Sequence, residues 1–140
     1  MKYLKVTTIV LVTLLSAATA SAQHRSRYFL MSDGDSRNDF VFALKNPKLI
    51  NEAIAILHRP LDQRPHVSGI IDTSMAPYNR KWGFHYRPPT ISFPEISTEV
   101  CDAETSYVQE HLKEVGGHFL PGNRWCPWSQ KVVREIGARQ

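Results

Sequence analysis

The two cysteines, Cys101 and Cys126, constrain what this chain can fold into more than any other feature. They stand 25 positions apart. Whether they pair depends on where the chain is delivered, because disulfides persist in oxidising compartments and are rare in the cytosol. The first residues address that question. Lys2 and Lys5 precede an apolar run from Val6 to Leu15, which gives way to "SAATASAQ". A basic start, a short apolar segment and a small-x-small site at Ala20-Ser21-Ala22 form the pattern of a secretory signal peptide over 1–22, so Gln23 is expected to open the mature chain. The apolar run falls short of the roughly 20 residues that span a bilayer. No second run follows, so stable membrane insertion is not expected. The expected location is secreted or periplasmic. There the cysteines can pair and close a loop worth ~3 kcal/mol by chain entropy. The other readings are two buried thiols or part of a metal site, and the spacing matches no zinc pattern.

Removing 22 of 140 residues leaves 118, a length suited to a single domain with one core, residues 23–140. The leader takes two lysines and no acid with it, so the net charge falls from +4 to +2. A balance that mild gives no reason to expect a nucleic-acid partner, which usually needs a clustered basic face.

Along the mature chain, "RYFLMS" and "FVFAL" read as a hairpin turning at Asp33-Gly34. The acidic loop between them lacks calcium-loop chemistry, because Arg37 stands where an oxygen ligand belongs and no glutamate closes the motif. "NPKLINEAIAILHRP" is the clearest helix. Asn46 caps it, Pro47 suits its first turn, Pro60 stops it, and Leu49, Ile50, Ala53, Ile54 and Leu57 form one apolar stripe. "HVSGIID", "KWGFHYR" and "TISFPEIS" read as three further strands, the middle one with Trp82, Phe84 and Tyr86 on one face and Gly83, His85 and Arg87 on the other. Helical spacing returns from Glu99 to Val115 and ends at Gly116-Gly117. "SQKVVREIG" reads as a last short helix in preference to a strand. The sum is an α+β domain: a mainly antiparallel sheet with two main helices packed on it and one disulfide.

The familiar catalytic patterns are missing. No glycine-rich phosphate loop, HExxH or GxSxG occurs. Cys101 as a nucleophile would have to stay a thiol, against the expected export. A copper site built on an N-terminal histidine fails by one position, since His24 would be second. No cofactor is expected. Two polar clusters remain. In "APYNRKWGFHYRPP", Asn79, Arg80, His85 and Arg87 interleave with Tyr78, Trp82 and Tyr86. In "EVCDAE", Glu99 and Asp102 flank Cys101. His85 paired with Glu99 or Asp102 is the one candidate for acid–base or metal chemistry, and a structural ion pair is the simpler reading. Trp82, Trp125 and Trp128 offer faces for stacking on a ligand, yet tryptophan beside a disulfide more often fills a core. Asn123-Arg124 forms the tip of a turn on a cross-linked base, which costs little entropy to order on binding.

"YN" at Tyr78-Asn79, "W-x-F-H" from Trp82 to His85, "EVCDA" from Glu99 to Ala103 and "FLPGNRWCPW" from Phe119 to Trp128 are an unusual set. With "FVFALKNPKLINEAIAIL" as a first strand–helix unit, they resemble a family of small domains in secreted bacterial proteins, named for the N-terminal domain of a calmodulin-binding protein of a social amoeba. The likeness runs from about Tyr28 to Ile136. It implies a compact domain whose cysteines pair, and it transfers no catalytic activity. Calmodulin binding is not expected, because the amphipathic helix from Asn46 to His58 needs its apolar face for the core.

Three functions fit these residues. The first is a binding domain for an extracellular or periplasmic protein or glycan, for instance a hydrolase inhibitor, using Asn79, Trp82, His85, Arg87, Asn123, Arg124 and Trp125. The second is a small hydrolase or metal-dependent enzyme built on His85. The third is a purely structural domain.

Overall fold

Alternation between Phe29 and Met31 on one side and Tyr28 and Leu30 on the other makes "RYFLMS" a strand, β1 (Arg27–Ser32). The chain then turns through an Asp-rich loop. The Asp33 carboxylate accepts from the Asp35 amide at 2.8 Å, and Asp35 in turn caps a 3-10 turn over Ser36–Asn38. β2 (Phe40–Leu44) returns antiparallel, pairing Phe29 with Phe42 and Met31 with Phe40 so that four large side chains face the core. The expected hairpin is therefore present. The computed structural model describes residues 25–137, so the expected leader and the Gln23 terminus lie outside the described residues.

α1 (Pro47–Leu57) begins as its sequence requires, with the Asn46 side chain accepting from the Lys48 amide at 2.9 Å and proline in the first turn. Ile50, Ala53 and Ile56 face the core. The chain beyond the helix is gathered by one residue: the Arg64 guanidinium donates to the carbonyls of Leu57 at 3.0 Å, Arg59 at 3.0 Å and Val132 at 2.6 Å. The third of these bonds ties the helix to the far end of the chain.

That far end corrects one expectation. Lys131–Ile136 is not a helix but a strand, β8, paired antiparallel with β1 so that Met31 lies opposite Val132. β1 is thus the centre of a sheet ordered β2-β1-β8. The β-branched pair Val132-Val133 suits a strand, and the free side of β1 supplies the partner that helix propensity alone does not weigh. Beside this strand the Lys131 ammonium stands 3.5 Å from Nδ1 of His66. Burial, reinforced by that ammonium, holds the His66 pKa below its ordinary 6.5 against weaker pulls from Asp102 and Glu95. An unfolded chain takes up a proton near that pH that the native one refuses. Stability is therefore kept above the ordinary value and lost as the pH falls through the native one. The melting temperature should drop on acidification below about pH 6.5, and His66→Gln should flatten that part of the profile.

The second expected helix is also corrected. In place of a run from Glu99 to Val115, the chain forms a 3-10 turn at Glu99–Cys101, an irregular link, and only then α2 (Thr105–Glu110). The cause is competition for backbone groups. The Cys101 carbonyl accepts from the Cys126 amide at 2.7 Å and the Ala103 carbonyl from the Trp125 indole at 2.9 Å, so neither is available to an i→i+4 ladder. Val100 and Tyr107, members of the expected stripe, are 62% and 49% exposed.

Of the three middle strands, β3 (Gly69–Asp72) and the two-residue β4 (His85–Tyr86) pair antiparallel, while the third is reduced to a bridge between Ser68 and Ser92. A second sheet runs β4-β3-β7, where β7 is Arg124–Trp125, and β5 (Val115–Gly116) and β6 (Phe119–Pro121) make a short parallel pair. The domain is α+β, as expected, with one disulfide between Cys101 and Cys126. Its core centres on the fully buried Trp125, whose ring centroid lies 4.9 Å from Phe40, 5.2 Å from Phe84 and 5.1 Å from Tyr86.

Candidate functional site

The disulfide and the Trp-rich turn are structural. Trp125 is buried, and Asp102 spends its carboxylate on the Trp128 amide at 2.8 Å. "EVCDA" and "WCPW" thus meet through a disulfide, two side-chain hydrogen bonds and one backbone bond. Asn123 is also occupied by the fold. At φ 60° it takes a left-handed turn conformation, its carbonyl accepts from the Ile71 amide at 2.9 Å, and its side-chain amide donates to the Ile71 carbonyl at 3.2 Å. Its side-chain oxygen stands where a Cβ on Gly116 would lie only 2.4 Å away, which together with φ +90° explains the glycine. Of the Asn123-Arg124 pair, only Arg124 projects into solvent, touching the Ser68 hydroxyl at 3.3 Å.

Asn79 and Trp82, both read from the sequence as ligand contacts, are buried too. The Asn79 side-chain oxygen accepts from the Val41 amide at 3.1 Å, standing in for a strand neighbour along β2, and the Trp82 indole donates to the Asp39 carbonyl at 2.8 Å. Asn79, Trp82 and Trp125 therefore present no free face to a ligand.

His85 and Arg87 do reach solvent. Strand register places His85 opposite Asp72, so the two side chains leave the same face. Its Nδ1 lies 2.7 Å from the Ser74 carbonyl, and because a carbonyl only accepts, Nδ1 carries the proton. Nε2 is left 3.9 Å from Asp72 Oδ2, beyond hydrogen-bond range. Asp72 is held instead by Arg87, whose Nε and Nη2 approach Oδ1 at 2.8 and 2.6 Å, and these bonds keep the carboxyl below its ordinary pKa. The expected partnership of His85 with Glu99 or Asp102 is corrected: its acidic neighbour is Asp72, and Asp102 serves the disulfide region. Neither thiol is free, and no group of three or more metal-ligating side chains stands together among the described residues.

The space beside His85 is not legible as a site in the sequence. Tyr28 leaves β1 on the face opposite the core, flanked in register by Ala43 and Ile136. The loop after β3 carries Tyr78 over it, bringing the two rings to 5.1 Å at 45°. These tyrosines, with Lys45, Arg80 and His85, line a cleft of about 710 Å³. Burial raises the pKa of the Tyr78 phenol, so it stays protonated through neutral pH. Tyr78 and Arg80 belong to the polar cluster seen in the sequence. Tyr28 and Lys45 leave one faint signal there, a large aromatic on the outward side of a strand.

The family model for the N-terminal domain of the amoebal calmodulin-binding protein matches residues 25–139. The chain belongs to that family. The resemblance carried by "W-x-F-H", "EVCDA" and "FLPGNRWCPW" is thereby shown, and in this calmodulin-binding-protein N-terminal domain the last two motifs are the two sides of the disulfide. No curated protein and no solved structure matches it at a significant level.

Proposed function

We propose that this domain is an exported, disulfide-closed binding module whose ligand enters the cleft beside His85. The cleft itself carries the reading: about 710 Å³ of concave space lined by two tyrosines, Lys45, Arg80 and His85. That size suits a compact ligand, and the lining mixes apolar rings with a few polar groups as binding sites do. Export is supported by the leader pattern and by the disulfide. Binding is preferred to catalysis because His85 has a backbone carbonyl on Nδ1 and no nucleophile in hydrogen-bond contact. The cleft is preferred to the 121–125 turn because Asn123 is consumed by its contacts with Ile71.

A fragment screen read by amide NMR on the oxidised, exported chain tests this. Hits should move the amides of Tyr28, Tyr78 and His85 as one group. Hits gathered at Asn123-Arg124, or scattered without a common locus, would refute it.

A further inference from the structure

We infer that the occupant of this cleft is an acidic saccharide, a sugar chain bearing carboxylate or sulfate groups; the inference rests on the binding reading above. Charge is the first ground. The ionisable lining consists of Lys45, Arg80, His85 and the two tyrosines, with no aspartate or glutamate among the described lining residues. Neither Lys45 nor Arg80 has a carboxylate within ion-pair distance among the described residues. Arg80 is oriented by its Nε donating to the Pro77 carbonyl at 3.2 Å, which leaves its terminal nitrogens for an anion. The two cations together complement negative charge.

The second ground is the ring pair. Tyr28 and Tyr78, tilted at 45°, form an angled apolar wall whose phenol groups remain hydrogen-bond donors. A pyranose has both features such a wall answers: a C–H face that packs on an aromatic ring and hydroxyls that accept from phenols. The third ground excludes the usual alternative. Peptides seated on sheets bind by adding a strand to an open edge. Here β1 is paired on both sides, Tyr28 with Ala43 and with Ile136, so the floor offers no open backbone ladder. Recognition has to come from the side chains above it.

The probes are a galacturonic-acid oligosaccharide, the same oligosaccharide methyl-esterified, a heparin-derived oligosaccharide, hexaglutamate and a short single-stranded oligonucleotide, titrated by calorimetry. At least one acidic saccharide should bind, weaken as salt is raised, and lose about tenfold or more in affinity with Arg80→Ala or Lys45→Ala, the range of a lost charged hydrogen bond. If it is the galacturonide that binds, esterification should weaken it likewise. Both side chains are exposed, so the variants should keep the parent's amide spectrum. Equal binding of the ester, or preference for hexaglutamate or the oligonucleotide, would overturn the inference. So would silence from both acidic saccharides: with fragment hits still in the cleft the binding reading survives alone, and without them both fall.

Discussion

Trp125→Ala is expected to remove about 3–5 kcal/mol of stability, the range for deleting a large buried aromatic. The ring is completely buried and meets Phe40, Phe84 and Tyr86, so its loss opens a cavity where three aromatic contacts converge. It also strands the Ala103 carbonyl, which accepts the indole proton at 2.9 Å. A domain of this size holds only about 5–15 kcal/mol in reserve, so the variant should be close to unfolded at 37 °C. Trp128→Ala is the control. That ring is 37% exposed and binds through its backbone amide, which alanine retains. Urea midpoints for the two variants should lie far apart. Similar midpoints would mean that Trp125 is not the keystone described above.

Loss of the disulfide should come next in size. Cys101→Ala with Cys126→Ala frees a loop whose ends are 25 residues apart, at a cost of about 2–5 kcal/mol. The damage should be local at first. Residues 99–103 and 125–128 face each other through the Cys126–Cys101 backbone bond, the Trp125 indole and the Asp102 carboxylate, all of which rely on the cross-link to stay in register. Hydrogen exchange in the double variant should therefore speed up in these two segments before it does so in β1 and β2. An unchanged urea midpoint together with unchanged exchange would contradict the structural role given to the pair.

The parts legible from sequence are those whose causes are local. The first hairpin follows from alternation on either side of an Asp-rich turn, and α1 from an asparagine cap, a first-turn proline and a single stripe. Trp82, Phe84 and Tyr86 do point inward as their alternation requires, although only His85–Tyr86 pairs as strand, because alternation reports burial and not hydrogen bonding. Sequence and structure part where remote partners decide. Carbonyls 101 and 103 answer residues more than twenty positions away, so helical spacing at Glu99 has no ladder to use. "KVVREI" is a strand because β1 has a free side. The cleft is illegible for the same reason. Tyr28 and Lys45 meet Tyr78, Arg80 and His85 only after two stretches of chain have folded over each other, and no periodicity records that.

The pairing of β1 with β8 also sets an order of events in time. β1 opens at Arg27 and β8 closes at Ile136, so the central strand of the first sheet lacks one neighbour until nearly the whole chain is available. Phe29 and Met31 cannot be sealed by Val132 while the last residues are still being made. Contacts so distant along the chain form late and slowly. A nascent or truncated chain ending before Lys131 would present the bare side of β1, with its apolar flank, to any other strand it met. Completion of the core is thus tied to completion of the polypeptide, which keeps the chain pliable until its final strand arrives.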